Sequence, residues 1–360
     1  GAFTDWDCSQ ASIDVPGGLI MQRVVYTQRG GLETIKIVDE DNPIPAPGEV
    51  VVEVHRAGIN FADLMMRQGL YQPTPPFPFT PGYEVSGTIS AIGQKVHEFG
   101  IGDRVLALCG MGGYSQQVAV AADRVFKLPD EVDFDTAAAL PVTYLTTYHI
   151  LKYLGNFQPN DTILIHHAAG GVGTATAQIG KALGAGVIIG TASTAKSDFV
   201  NELGMRYVDR DAEDFVAVCK KETGGKGVHH ALDPVGGKHL MRSYKALRKG
   251  GNLYAFGGSS AVRGSKRSLR AALGFLWGMP KFDPMRMMSS NKAVFGVHMG
   301  TWPDHEVLKG HMDELSKMLT KGEISPVVDK VFHYTDVASA QQYIHDRKNR
   351  GKVLINFRSK

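Results

Sequence analysis

Residues 162–194, "TILIHHAAGGVGTATAQIGKALGAGVIIGTAST", constrain the fold more than any other stretch of the chain. The apolar "TILIH" reads as a buried strand and "AAGGVG" as a turn. The Ala-rich run after it reads as a helix, and "VIIGT" as a second strand. Such a unit lays its two strands parallel, because the crossover helix returns the chain to the edge it left. Gly170, Gly171 and Gly173 carry the turn. One glycine lets the backbone approach a phosphate, another lets the helix pack on the strand, and the helix N-terminus aims free N–H groups at an anion. Ala168 stands where a G-x-G-x-x-G turn has its first glycine. Alanine serves there if its backbone stays out of the left-handed region. With Ala169 and Val172, these residues form the expected cradle of a dinucleotide.

The end of the second strand chooses between dinucleotides. An NAD site needs an acid about 20 residues beyond the turn, to accept from the ribose hydroxyl. Gly190, Thr191, Ala192 and Ser193 stand there instead, and no carboxylate precedes Asp198. Ser193, Lys196 and Arg210 offer a hydroxyl and two cations, a set suited to a 2′-phosphate and therefore to NADP(H).

Four further apolar runs, "MRYVD", "VHHALD", "NLYAFGG" and "AVFGVH", alternate with helical patterns. Six such strands predict a doubly wound parallel sheet over 144–303. Residues 21–143 have a different rhythm. Val50, Val52 and Val54 alternate with other residues, turns break the runs, and one helix, "NFADLMMRQGL", interrupts a β-rich domain. After 303 come an amphipathic helix (304–319), a short strand at 331–334, a helix "DVASAQQYIHDR" and a strand "GKVLINF", expected to return to the first domain. The fold class is thus α/β, with a β-rich domain over 21–143 completed by 304–360. Residues 1–20 read as a polar extension without the apolar run of a secretory signal. A net charge of +3 and the lack of a long basic run argue against nucleic acid. Three scattered cysteines, with no C-x-x-C pair, point to a reducing compartment and a cytoplasmic protein.

"GINFADLMMRQGLY", "PGYEVSGTISAIG", "GDRV", "HHAAGGVG", "GTAST" and "GKVLINF", in this order, resemble the medium-chain dehydrogenase/reductase superfamily, in its zinc-free quinone oxidoreductase branch. "NFADLMMRQGLYQ" and "KGGNLYAFGGSSAVRGSKRSLRAALGFLWG" are similar to the synaptic-vesicle membrane protein (vesicle amine transport protein) group within it. The resemblance implies a GroES-like catalytic domain, a Rossmann domain and a cofactor cleft between them. It places Asn60 beside a nicotinamide and Thr146 at its carboxamide. Ser193, Lys196 and Arg210 fall at the adenosine phosphate, and Phe256, Gly257 and Val297 along the cofactor. The family usually has a tyrosine at the position of Arg210.

Zinc-dependent relatives hold their metal with a cysteine and a histidine at the positions of Asn60 and Tyr83. Neither residue is a good Zn²⁺ ligand, and no cysteine lies near 141–143. His166–His167 and His229–His230 are adjacent pairs, and neighbours on a strand point to opposite faces, so neither pair is expected to chelate one ion. No metal is expected. Without a Lewis acid, the expected chemistry is hydride transfer to a quinone or an α,β-unsaturated carbonyl compound, with charge developing on an oxygen. Asn60 can donate through its amide. Asp63 either orients neighbours or pairs with Arg67 at i, i+4. Tyr71 is the preferred proton donor, or else packs against "PTPPFPF".

Residues 260–292 carry seven Lys or Arg against Asp283 alone, interleaved with leucines, Trp277 and methionines. Three readings stand: a lid over an apolar substrate pocket, a basic amphipathic surface for anionic lipid headgroups, or a packing helix with a solvated face. The second would make the protein a nucleotide-binding, membrane-associated adaptor with little turnover. The apolar edge strand "AVFGVH" invites pairing into a homodimer.

Overall fold

The structure, a computed structural model, describes residues 20–262, 264–266 and 268–358. The expected N-terminal extension lies outside them except for Ile20. Two strands, β1 (Ile20–Tyr26) and β2 (Ile35–Asp41), pair antiparallel at the start of the described chain. In β3 (Glu49–Gly58) the predicted alternation is incomplete: Val51 is as buried as Val50 and Val52. The reason is position, since β3 is central and is hydrogen-bonded to three other strands. Next come α1 (Phe61–Arg67), β4 (Glu84–Ile92), β5 (Arg104–Leu108), β6 (Gln117–Ala121) and β7 (Val125–Lys127).

Two helices, α2 (Phe134–Ala139) and α3 (Pro141–Tyr148), then join the two parts of the molecule. Pro141 at the first position of α3 splits what reads from sequence as one helix, because proline lacks the N–H that would continue it. The chain then alternates strand and helix: β8 (Thr162–His166), α4 (Gly171–Ala182), β9 (Val187–Ala192), α5 (Ser197–Glu202), β10 (Arg206–Asp209), α6 (Phe215–Glu222), β11 (Val228–Asp233), α7 (His239–Ala246) and β12 (Leu247–Ala255). Two more helices, α8 (Leu269–Trp277) and α9 (Pro284–Ser290), precede β13 (Ala293–Gly296). These six strands form one parallel sheet in the order β10-β9-β8-β11-β12-β13, as the alternation of strands and helices requires.

The return begins with α10 (His305–Thr320) and continues through β14 (Val328–His333), α11 (Val337–His345) and β15 (Lys352–Asn356). β14 and β15 enter the first domain's sheet beside β3, in the order β14-β15-β3-β4-β5-β7. α10 behaves differently from the rest of the return. Its Met312, Leu315 and Met318 are buried in the cluster that also holds Ile163, Ile165 and Ala175 of the parallel sheet and its first helix. No helix among the described residues is long and apolar enough to cross a membrane.

Candidate active site and nucleotide cleft

A cleft of about 1740 Å³ is lined from both sheets. Its floor at one end is the turn after β8. Here the left-handed residue is His167 (φ 56°), one position before the alanine in question, and Ala168 keeps ordinary dihedrals. Histidine tolerates that conformation better than branched residues do. The Ala168 methyl fits because Gly190 on the neighbouring strand leaves it room: a Cβ on Gly190 would lie 2.7 Å from it. Gly173 has a separate task. A Cβ there would stand 2.2 Å from the Ala168 carbonyl oxygen, so glycine is what lets α4 pack against the end of β8. Ala169, Gly170, Gly171, Val172 and Gly173 all face the cleft.

Ser193, Lys196 and Arg210 meet further along the same wall. They are joined by Arg347 and Asn349, from the turn between α11 and β15. Lys196 Nζ donates to the Asn349 carbonyl (2.5 Å), and Arg350 donates to Ala195 O (2.9 Å). Burial, and secondarily the positive charge of Arg210, draw the Lys196 pKa down to about 8. The Arg347 pKa is lowered by the same two causes. Cations that depress one another's protonation mark a place that favours an anion. Arg347 and Asn349 escape a reading organised around the glycine turn. Their signal is the basic run "DRKNRGK" before the last strand.

At the other end Asn60 starts α1. Its Oδ1 accepts from Lys352 Nζ (2.6 Å), and its Nδ2 donates to Glu84 Oε1 (2.9 Å). Lys352 and Glu84 themselves form a fully buried ion pair at 2.5 Å. Glu84 Oε2 accepts from the Val142 backbone N–H (2.7 Å) at the start of α3. Asn60 is thereby held with one amide hydrogen uncommitted to this network. An ammonium group 2.6 Å from Asn60 Oδ1, with a phenol at Tyr83, is not a donor set that fits Zn²⁺. Sequence reading did not single out Glu84 and Lys352 as a pair, since they stand near opposite ends of the chain.

Asp63 does not line the cleft, and of its two readings the geometry matches the one in which it orients its neighbours. It is fully buried, accepts from Asn60 N (2.8 Å) and Tyr114 OH (2.7 Å), and so positions Asn60. The alternative pairing with Arg67 is also absent. Arg67 donates to Gly30 O and Gln341 (both 2.8 Å) and to Ser265 O (3.2 Å), and lies 2.9 Å from His345 Nε2. Tyr71 does line the cleft, its ring 5.1 Å from that of His298. Burial raises its pKa, and the neighbouring Tyr83 hydroxyl offsets part of that rise. Tyr83, at a position where zinc-dependent relatives have a ligand, also faces the cleft and directs its hydroxyl at Met66 Sδ (3.6 Å). Thr146, Phe256, Gly257 and Val297 lie along the cleft between the two ends.

The adjacent histidines divide. His166 contacts Thr191 (2.9 Å) and Ser243 (3.0 Å), while His167 turns into the cleft. His229 and His230, by contrast, both approach Asp161, at 3.3 and 3.0 Å. A register shift between Val228 and His230 breaks the alternation on which the opposite-face argument rests. His166, Asp233 and His239 form a group with metal-ligand geometry that sequence spacing did not reveal. Its carboxylate already accepts from the Val235 and Gly236 backbone, His239 and Ser243.

A phosphate-type cradle, a cation cluster and a polar reacting end in one interdomain cleft define a nucleotide-dependent oxidoreductase scaffold. Residues 46–130 match the alcohol dehydrogenase GroES-like domain, and residues 171–317 match the zinc-binding dehydrogenase family. The synaptic vesicle membrane protein VAT-1 homolog of Homo sapiens is 35% identical over 93% of this chain and 86% of its own. A probable quinone oxidoreductase of Schizosaccharomyces pombe is 31% identical, covering 92% and 96%. The crystal structure of Escherichia coli quinone oxidoreductase complexed with NADPH superposes with a TM-score of 0.82 at 29% identity, over 93% of this chain and 100% of that one. The chain belongs to the medium-chain dehydrogenase/reductase superfamily of oxidoreductases, in the branch of the quinone oxidoreductases and VAT-1 homologues.

Burial raises the Asp63 pKa from its ordinary 3.8 to about 7, against the opposing pull of its hydrogen bonds. A raised carboxyl pKa contributes stability that is complete below about pH 4 and is lost as pH climbs through 7. Asp63→Asn keeps an acceptor for Asn60 and Tyr114 but cannot titrate. In urea denaturation, the wild type is expected to lose on the order of 3 kcal/mol relative to the variant between pH 4 and 8. A difference that stays constant over that interval would rule the assignment out.

Proposed function

We propose that this protein is an NADPH-dependent, zinc-independent reductase of quinones or α,β-unsaturated carbonyl compounds. The observation that carries the reading is the meeting of Lys196, Arg210 and Arg347 on one wall of the cleft at the end of β9, where Asp211 pairs with Arg210 (3.1 Å) and Asp209 is engaged by Thr194 Oγ1 (2.5 Å). A 2′-phosphate answers that concentration of charge, and a bare ribose does not. The NADPH complexed with the E. coli quinone oxidoreductase supports the same cofactor here.

NADPH, when bound, supplies the hydride. The chain's residues then manage the charge that appears on the acceptor oxygen. Asn60 presents its remaining amide hydrogen from a fixed orientation, set by Lys352 and Glu84. Tyr71 presents a protonated phenol to the cleft, and burial raises its pKa, which suits it to hydrogen-bonding the developing oxyanion more than to giving up its proton outright. Lys352 holds positive charge at the place where relatives hold zinc, but spends its contacts on Asn60 and Glu84.

Stopped-flow oxidation of NADPH with a panel of quinones and enones tests the reading. Acceleration by at least one acceptor is expected, with NADPH favoured over NADH. Arg210→Leu should raise the KM for NADPH about tenfold and leave that for NADH within about twofold. Preference for NADH, or stoichiometric zinc by elemental analysis, would refute the assignment.

One observation favours a second activity alongside the first. On α8 the side chains of Leu269, Leu273, Leu276 and Trp277 share one face and are all exposed, Trp277 at 89%. Exposed Arg270, Lys281 and Arg286 lie in the same segment. An apolar face with a basic border suits peripheral contact with an anionic membrane, in keeping with the vesicle-membrane name of the VAT-1 relatives. Flotation with phosphatidylserine vesicles should be salt-sensitive and lost in Trp277→Ser/Arg270→Glu. Binding that survives this double change would locate membrane contact elsewhere.

β13 is the outermost strand of the parallel sheet and leaves one edge unpaired. We propose antiparallel pairing of two copies there, as a homodimer. Sedimentation equilibrium should report twice the chain mass of 39.0 kDa, and Phe295→Pro should shift it towards the monomer. A monomeric wild type at micromolar concentration would exclude this arrangement.

A further inference from the structure

The acceptor end of the cleft has a charged mouth that hydride transfer does not require. In the β4–β5 pairing Leu108 lies opposite Glu84, the residue that holds Asn60. The chain runs on through Cys109, whose N–H donates to Tyr83 O (2.8 Å), to Gly110. A Cβ on Gly110 would lie 3.7 Å from Arg124 Nη1, so the guanidinium stands against that glycine. Two residues of extended chain and one strand spacing put Arg124 on the order of 10 Å from Asn60 and Glu84. The Cys109 thiol reports the same geometry. Burial raises its pKa, Glu84 pushes it further up and Arg124 draws it down, as a group between the two charges would experience.

Arg124 makes no ion pair among the described residues. Its one side-chain contact is His305 Nε2 at 3.4 Å, across the cleft mouth on α10. Lys309, four residues on and on the same face of that helix, also lines the cleft and is likewise without an ion pair among the described residues. Asp123 is the one carboxylate on this rim. Met111, Val118, Phe126 and Leu308 add apolar surface to the cleft that Arg124, Lys309 and Asn60 also line. The rim thus carries two cations without a direct ion pair among the described residues, with Asp123 on the rim and Glu98 near Lys309, and it is distinct from the cation cluster around Lys196.

We propose that the physiological acceptor is an amphiphile: a quinone or enone head that reaches Asn60, an apolar spacer, and an anionic end group held by Arg124 and Lys309. The inference rests on the reductase reading and specifies its substrate class. A guanidinium half-withdrawn from water gains more from a carboxylate than a solvated one does, and an apolar wall gives no alternative partner.

The test is a series of ω-carboxyalkyl 1,4-benzoquinones of increasing chain length, each against its methyl-ended isostere. The ratio of kcat/KM, charged over neutral, should peak at one chain length at about tenfold or more and shrink as salt is raised. Arg124→Gln should bring that ratio close to one, and Lys309→Gln should lower it by part of the same factor. Because Lys309 is exposed, its variant remains informative if Arg124→Gln folds poorly. Quenching of tryptophan fluorescence, with Trp302 in the cleft wall, measures binding of the same pairs to the NADP⁺-loaded protein without turnover. Turnover of neutral quinones with no carboxylate preference at any length overturns this inference and leaves the reductase reading standing. Failure of every acceptor to react, with carboxylate-selective binding retained, overturns the reductase reading instead. Absence of selectivity in both measurements overturns the anion site outright.

Discussion

The ion pair between Lys352 and Glu84 is the contact on which the catalytic half of the cleft is built. Both side chains are withdrawn from water, and breaking such a pair by removing one partner typically costs about 3–5 kcal/mol, because the other charge is left uncompensated. The pair also has a geometric role. Lys352 opens the last strand, Glu84 opens β4, Asn60 caps α1, and Val142 lies in the first turn of α3. Four elements from distant parts of the sequence are fixed to one another through two side chains. Asn60 inherits its orientation from them, and Asp63 with Tyr114 holds the backbone that carries it.

The same short segment that delivers Lys352 to one end of the cleft serves the other. Arg347 and Asn349 face the cation cluster, and Arg350 bonds to the loop after β9. Gly351 donates its N–H to Ala169 O (2.8 Å) in the glycine turn itself. Residues 347–352 therefore join the parallel sheet to the mixed sheet at the level of the cofactor cradle. Arg67 makes a second junction, since Ser265 belongs to the segment after β12 while Gly30 and Gln341 belong to the other part. A nucleotide lying along the cleft would touch the first junction over most of its length, so cofactor binding and closure of the two parts draw on common contacts.

Much of the fold was legible because it follows from period and punctuation. The strand–turn–helix at 162–194 implied a parallel crossover, and further repeats of the rhythm implied the sheet. That Gly170 to Gly173, Ser193 and Lys196 share one wall of the cleft was legible for the same reason: they lie close together in sequence, on one turn and just past the end of the next strand. What escaped was the part made by tertiary convergence. Lys352 reads as an ordinary first residue of a strand, and Glu84 as the polar member of "PGYEVSG". Only the return of β15 to β3 makes them partners. For Asp63 the sequence left two readings open, orienting its neighbours or pairing with Arg67, because both fit the first turn of a helix; only the fold, which brings Tyr114 to it, decides between them. Ala168 stays out of the left-handed region, the condition under which an alanine can serve there, but that His167 takes it instead was not legible, because a histidine at φ 56° leaves no compositional trace. The opposite-face argument for His229 and His230 failed at a bulge, which local sequence does not announce.

In the reductase proposed above, an ammonium stands in place of a metal at the reacting end, and that would change which reaction is favoured. A zinc ion binds an alkoxide directly and makes a saturated alcohol a workable hydride donor. Lys352 cannot do this, since its positive charge is already matched by Glu84 at 2.5 Å and its nearest other acceptor is Asn60. What remains for a substrate oxygen is hydrogen bonding from neutral groups, an amide and a phenol. A delocalised enolate or hydroquinone monoanion, the product of hydride addition, spreads its charge and needs less stabilisation than a localised alkoxide, so neutral donors would suffice for it. A conjugated acceptor brings the delocalisation that these side chains lack the means to impose. On the proposed reading, the chemistry of the acceptor and the neutral character of the donor set are two sides of one constraint, and the apolar surface that Phe126 and Met111 add to the cleft would suit flat, conjugated molecules on the same ground.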